Sequence, residues 1–264
     1  MDARIYERMA EVEEHHWWFA SRRTIVEEIL RGLALPKDAA ILEAGCGTGG
    51  NFRMLARHGH VHAMEPSEAA RVAASSLGLA TVEPGSLPDS IPFPGQSFDL
   101  VLMTDVLEHL DDDRASLREL RRRLKPGGWL LLTVPALSWM WSAHDVSHQH
   151  RRRYHSAALR EVVEAAGYQV RYLSYYNFLL FPMIAGARMV QHVLGASSDG
   201  HDLRMPSARV NGLLKRVFSS ERHFLGSWSA PIGVSLILLA QARDQNHQQN
   251  HPEDDLTALA GKKP

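Results

Sequence analysis

The chain has one cysteine, Cys46, in 264 residues. No disulfide can form within it, which favours a reducing compartment. It also lacks net charge. The 29 Lys+Arg against 30 Asp+Glu leave −1, which excludes nucleic-acid affinity driven by bulk positive charge. No apolar run approaches the roughly 20 residues of a bilayer-spanning helix. The opening Met1-Asp2-Ala3-Arg4 leads into acidic, helix-like sequence rather than an apolar signal core. No internal repeat is visible. These absences lead to the expectation of a cytoplasmic protein, with contact at the inner face of a membrane left open by one apolar segment discussed below.

What is present is ordinary globular material, 45% hydrophobic and 22% charged. Residues 3–33 read as helix, interrupted by the block His15-His16-Trp17-Trp18-Phe19. After the turn signal Leu35-Pro36-Lys37-Asp38, strands and helices alternate. Strands are expected at 40–44, 61–64, 81–82, 97–103, 128–134, 168–173 and 234–242. Helices are expected at 51–58, 68–77, 113–124 and 155–166, the last stopped by Gly167. Strands separated by helix-length segments imply right-handed crossovers and a mostly parallel sheet.

The most informative segment is Ile41-Leu42-Glu43-Ala44-Gly45-Cys46-Gly47-Thr48-Gly49-Gly50. An apolar strand runs into glycines and then a helix, where the backbone must turn sharply and approach a ligand closely. Gly45, Gly47 and Gly50 satisfy G-x-G-x-x-G. Glu43, Gly45, Gly47 and Gly49 satisfy E-x-G-x-G-x-G. Glu65 lies 20 residues past Gly45, at the end of the second strand, where a carboxylate accepts hydrogen bonds from ribose hydroxyls. Both patterns imply an adenosine-containing ligand.

The stretch Glu43 to Gly49 resembles motif I of the class I S-adenosylmethionine-dependent methyltransferases. Further signposts follow in order: Met64-Glu65-Pro66-Ser67, Gly85-Ser86-Leu87 with Ile91-Pro92-Phe93, Phe98 to Val101 leading to Asp105-Val106-Leu107-Glu108-His109-Leu110, and Leu124-Lys125-Pro126-Gly127-Gly128. The resemblance covers 36–174 and 228–243. It implies a Rossmann-like α/β fold, a seven-stranded mixed sheet with helices on both faces, and S-adenosyl-L-methionine as cofactor. It implies cofactor contacts from Glu43, Gly45, Cys46, Gly47, Gly49, Glu65, Pro66, Ser86, Leu87, Asp105 and Val106. The chain departs from the pattern at Ser86, where the family usually carries Asp. The block at Glu13 to Phe19, followed by Arg22-Arg23, is similar to a bacterial, quinone-methyltransferase-like subgroup in which it covers cofactor and substrate. His16 or Arg23 would then lie near the cofactor carboxylate.

Methyl transfer to a hydroxyl needs alignment and removal of a proton, and histidine titrates in the useful range. The segment Ser138 to Tyr154 follows the fifth strand, so it overlooks the ligand crevice of an open α/β sheet. His144 beside Asp145 fits a base with an orienting carboxylate, and His150 is a second candidate. Arg152, Arg153 and Tyr154 would suit an anionic group; otherwise the arginines form a solvated face and Asp145 pairs with one of them. Asp105, Glu108 and His109 admit a divalent ion, but they equally well just line the site, and no metal ligand is assigned.

Residues 1–35 are expected as a helical cover, 36–174 with 228–243 as the cofactor-binding core, 175–227 as an apolar helical insertion and 244–264 as a disordered tail. The uncharged run Phe178–Ala187 suits a membrane interface, a lipid-chain pocket, a dimer contact or ordinary core. The expected activity is methyl transfer, at oxygen, to a small-molecule or lipid-linked acceptor. No nucleic-acid partner is expected, and the oligomeric state stays open. The alternatives are an NAD-dependent oxidoreductase and a non-catalytic cofactor-binding adaptor at a membrane.

Overall fold

The computed structural model describes residues 3–194 and 205–243. The expected tail, 244–264, lies outside them. Seven strands form one sheet: β1 (Ala39–Ala44), β2 (Gly59–Met64), β3 (Thr81–Glu83), β4 (Phe98–Thr104), β5 (Leu124–Pro135), β6 (Tyr168–Tyr176) and β7 (Ser235–Ala242). Their order is β3-β2-β1-β4-β5-β7-β6, with β7 antiparallel to both neighbours and the first five strands parallel. The order reverses between β1 and β4. That switch point opens a crevice at the carboxyl ends of the strands.

Central strands are covered on both faces and read as apolar runs, such as Leu130-Leu131-Leu132 in β5 and Leu236 to Leu239 in β7. One face packs on α5 (Asp113–Arg122) and α7 (Ser156–Ala165) through Leu117, Leu120, Leu159 and Val163. The other packs on α2 (Trp17–Arg31), α3 (Phe52–Leu55) and α9 (Ala208–Ser220) through Ile25, Val26, Phe52, Leu55 and Phe218. Truncating such a side chain to Ala costs about 2–5 kcal/mol. The short α4 (Glu68–Ser76) is started by Ser67, whose hydroxyl accepts from the Ala70 N–H at 3.5 Å.

The sheet and its helices follow the sequence reading, with four differences. The 3–33 helix is two helices, α1 (Ala3–Val12) and α2, because His16 leaves the helical backbone and caps α2 through Nδ1. The helix expected at 51–58 shrinks to α3. Strand β5 starts earlier, at Leu124, which pairs with Phe98 beside a bulge. Strand β6 runs on to Tyr176, paired with Ser235, so the boundary at 175 cuts a strand; its aromatic residues suit a sheet as well as a membrane surface. The remainder of the insertion contains α8 (Phe181–Leu194) and α9.

Candidate functional site

Gly45 follows β1 with φ +80°, and a Cβ there would meet Val106 Cγ2 at 2.7 Å. Only glycine lets the loop approach the β4 end this closely. At Gly47, φ is +54° and a Cβ would meet nothing within 4 Å, since that position faces open space. The Gly47 N–H donates to Glu65 Oε2 at 3.0 Å, and Ser67 N donates to Glu65 Oε1 at 3.0 Å. The Tyr6 hydroxyl also donates to Oε1, at 3.1 Å. Glu65 is thus buried just beyond β2 with one of its about four lone-pair positions unused.

Glu43 is fully buried behind the loop. Its Oε1 accepts from Asn51 Nδ2 at 2.7 Å, and the same amide reaches Thr104 Oγ1 at 3.1 Å. Its Oε2 has no partner. Burial raises the Glu43 pKa to about 8, so the side chain is largely neutral near pH 7. Burial also pushes the Cys46 thiol up, with the Glu43 and Glu65 charges adding to it, so Cys46 is no thiolate nucleophile.

Asp105 follows β4 with φ +55°. Its carboxylate accepts from Thr133 Oγ1 at 2.9 Å and forms an ion pair with Arg22 of α2. Arg22, not Arg23, is the arginine at the cavity; Arg23 donates to the backbone carbonyls of Glu13 and Glu14. Trp17 and Trp18 pack on Phe218 at 6.0 and 5.4 Å between ring centres and also line the cavity. The aromatic block therefore both packs on the fold and covers the site. Between α1 and α2, Glu13 Oε1 accepts from Thr48 Oγ1 at 2.7 Å, so the cover touches the glycine loop directly.

The segment after β5 brings histidines together. Asp145, buried at the start of α6 (Ala143–Ser147), accepts from Ser142 N at 2.8 Å, from Arg153 Nε at 2.8 Å and from Arg153 Nη2 at 2.9 Å. It also bonds His150 Nδ1 at 2.9 Å. Burial alone would raise the Asp145 pKa, but the bonds from His150 and Arg153 hold it well below the usual carboxylate range. An ionised Asp145 only accepts, so His150 donates to it from Nδ1, and this bond fixes the orientation of the ring. His150 Nε2 lies 4.0 Å from Glu108 Oε1. Glu108 is completely buried and neither of its oxygens has a hydrogen-bond partner. Burial, then the Asp105 charge, raises its pKa. The rings of His109 and His150 stand 4.7 Å apart, and those of His144 and His148 3.9 Å apart. Burial and His150 lower the His109 pKa to about 4, which keeps that ring neutral.

The expected anion subsite is not formed. Arg152 pairs with Asp113 at 2.9 Å, Arg153 is spent on Asp145, and the buried Tyr154 hydroxyl donates to Asp113 at 2.8 Å. The arginines tie loops together instead.

One cavity of about 1140 Å³ is lined by Gly45, Cys46, Gly47, Glu65, Pro66, Ser86, Leu87, Asp105, Val106, His144 and His150. Glu43, Gly49 and Asp145 stand behind this lining. Gly49 packs on Phe52 and Leu77, and Glu43 reaches the wall through Asn51. Sequence reasoning missed Tyr6 as a lining residue and gave no individual role to Asn51, beside the glycine loop, or to His148, within the segment after β5. No local motif marks Tyr6; only the tertiary fold brings α1 over the loop.

The fold and cavity define a doubly wound α/β protein with a cavity at its switch point. Residues 16–173 match the family described as methyltransferase domain. This is more than half of the chain, which therefore belongs to the methyltransferase-domain family, enzymes dependent on S-adenosylmethionine. A probable S-adenosylmethionine-dependent methyltransferase of Mycolicibacterium smegmatis is 32% identical over 162 residues, 60% of this chain and 61% of that protein. The match thus spans less than two thirds of that relative's length. A malonyl-[acyl-carrier protein] O-methyltransferase of Erwinia pyrifoliae is 28% identical over 220 residues, 81% of this chain and 78% of that one. Among solved structures, a chain from the complex of the Haloferax volcanii Trm112 methyltransferase activator with a methyltransferase superposes with TM-score 0.60 at 18% identity, covering 93% of this chain and 96% of that one. At that identity the likeness concerns the fold.

Proposed function

We propose that the protein transfers the methyl group of S-adenosylmethionine to an oxygen atom of a small or lipid-linked acceptor. The observation that carries this is the shared cavity. Its wall holds the glycine loop and Glu65, the titratable cluster around Glu108 and His150, and the apolar side chains of Met183, Ile184 and Ala187 from α8. Cofactor, reacting hydroxyl or carboxyl, and an apolar body each have a matching surface. The O-methyltransferase from Erwinia supports the choice of oxygen.

The cofactor supplies the reactive sulfonium methyl group. Glu65 would hold its ribose hydroxyls, the Gly45 to Gly47 backbone would admit its amino-acid portion, and Leu87 with Ser86 would border its adenine. Asp105, fixed by Thr133 and Arg22, would face the methionine portion beside Val106. The acceptor oxygen attacks the methyl carbon in line with the departing sulfur and gives up its proton. That proton leaves beside the cluster in which Asp145, a positioning residue, orients the His150 ring; His144 borders the same space. No helix among the described residues is long and apolar enough to cross a membrane. A lipid-linked acceptor would instead present its head to the cavity, with its chain along α8.

Calorimetric titration with S-adenosylhomocysteine tests the reading. The protein should bind it saturably and ignore NAD. Glu65→Ala should weaken binding about 10- to 100-fold, the loss expected for hydrogen bonds to a charged group. A folded protein that binds NAD, or neither ligand, overturns the proposal.

A further inference from the structure

We propose that Glu108, His109 and His150 form a binding site for one divalent transition-metal ion, such as Zn²⁺, Mn²⁺, Fe²⁺ or Co²⁺, at the acceptor end of the cavity. One donor atom from each residue lies within 4.8 Å of the others. An ion bonded at about 2.1 Å to each closes those separations with side-chain shifts alone. Two further observations point to a cation. Glu108 is buried at 0% exposure with both oxygens unpartnered, and it borders the cavity. Burying a carboxyl group without any partner is costly, and the cost is recovered when a cation sits against it. Arg22, whose charge acts on Glu108, is already committed to Asp105.

The second observation is the preparation of His150. Asp145 holds its Nδ1 at 2.9 Å, which leaves Nε2 as the ring nitrogen that can meet an ion. A carboxylate behind a ligating histidine orients the ring and raises its basicity. The two ligand-bearing segments are also locked to each other. Arg151 N donates to the Glu108 carbonyl at 2.8 Å, and Arg151 Nε to the His109 carbonyl at 3.0 Å. Asp105, the acid that sequence spacing groups with Glu108 and His109, is absent from this set because Arg22 and Thr133 occupy it.

Two imidazoles and one carboxylate select a transition ion over Mg²⁺ or Ca²⁺ and leave coordination positions open. This inference rests on the methyltransferase reading and gives the acceptor end its chemistry. An acceptor hydroxyl bound at an open position loses its proton to water more readily. The oxygen then attacks the methyl carbon and the carbon–sulfur bond breaks, its electron pair remaining on sulfur. The products are the methylated oxygen, S-adenosylhomocysteine and the released proton. The acceptor class narrows to compounds with a hydroxyl or carboxylate able to ligate, such as a catechol-like diol or a carboxylic acid.

The test uses the tag-free full chain, stripped with chelator, and titrates it with Co²⁺ while following the visible absorption of the ion. Magnesium serves as a control, and S-adenosylhomocysteine is titrated on the same preparations. The expected result is one Co²⁺ per chain, unaffected by excess Mg²⁺. Binding should weaken more than about tenfold in Glu108→Gln and in His109→Gln, with cofactor-product binding retained. If Glu108→Gln does not fold by circular dichroism, His109→Gln decides. Binding of S-adenosylhomocysteine without Co²⁺, or Co²⁺ binding that survives both substitutions, overturns the metal site alone. Failure to bind either ligand overturns the methyltransferase reading with it.

Discussion

Glu43 shows what a single buried carboxyl group does to the pH dependence of the whole protein. In the folded chain burial raises its pKa to about 8, against the 4.5 of an exposed glutamate, and the neighbouring charges are Arg22, Glu13 and Glu65. The folded state therefore holds a proton that the unfolded state releases. Stability from this group is fully present below about pH 4.5 and is lost as pH rises through about 8, at a slope of up to about 1.4 kcal/mol per pH unit. Glu43→Gln keeps an oxygen for Asn51 and removes the titration. Urea unfolding at pH 5 and pH 8 should show the substituted protein gaining at least about 1 kcal/mol on the wild type between those two values. Equal pH profiles would mean that Glu43 is ionised in the folded state. The glycine spacing made Glu43 and Glu65 legible in the sequence, because a loop that must meet a ligand restricts residue type. The protonation of Glu43 was not legible, since it depends on burial by residues far along the chain.

At the scale of elements, the region after β6 is held by one acid that no motif marks. Glu221, just beyond α9, is fully buried and accepts from Asn177 N at 2.6 Å and Leu179 N at 2.9 Å. These two amides lie where the chain leaves the sheet at Asn177, whose φ is +54°, and turns towards α8. Glu221→Ala leaves the buried Asn177 N–H and the less buried Leu179 N–H without this acceptor and should cost about 1–3 kcal/mol. Glu221→Gln retains one good acceptor and should cost about half as much. Thermal unfolding of both variants checks the ranking, and an unaffected Ala variant would show that water replaces the carboxylate there. The contrast with α5 is instructive. Asp112 accepts from Ala115 N at 2.8 Å and caps that helix locally, so its role follows from sequence neighbours alone. The partners of Glu221 lie more than 40 residues away. For the same reason the split between α1 and α2, and the extension of β6 to Tyr176, escaped periodicity, whereas strand–loop–helix alternation revealed the order of the core.

At the scale of the molecule, α1 stands between solvent and the cofactor end of the cavity. Val12 is its buried residue among side chains with described burial, while α2 buries Phe19, Ile25, Val26, Ile29 and Leu30. Polar contacts tie the α1 region to the site, Tyr6 to Glu65 and Glu13 to Thr48. Opening α1 thus exposes little apolar surface and should require much less free energy than global unfolding. In hydrogen exchange under mild urea, α1 amides should exchange at a rate nearly independent of denaturant, whereas those of α2 should follow global stability. The cofactor sharpens this argument. Glu65 already accepts from Gly47 N, Ser67 N and Tyr6, so two ribose hydroxyls exceed its remaining capacity. Tyr6 is the donor that can leave, because the other two are fixed backbone groups. Tyr6→Phe should therefore bind S-adenosylhomocysteine about tenfold more tightly, the low end for one hydrogen bond to a charged group that no longer has to be given up. Weaker binding in this variant would show instead that the tyrosine hydroxyl stays and contacts the bound nucleoside, which would make α1 part of the cofactor site in the liganded state.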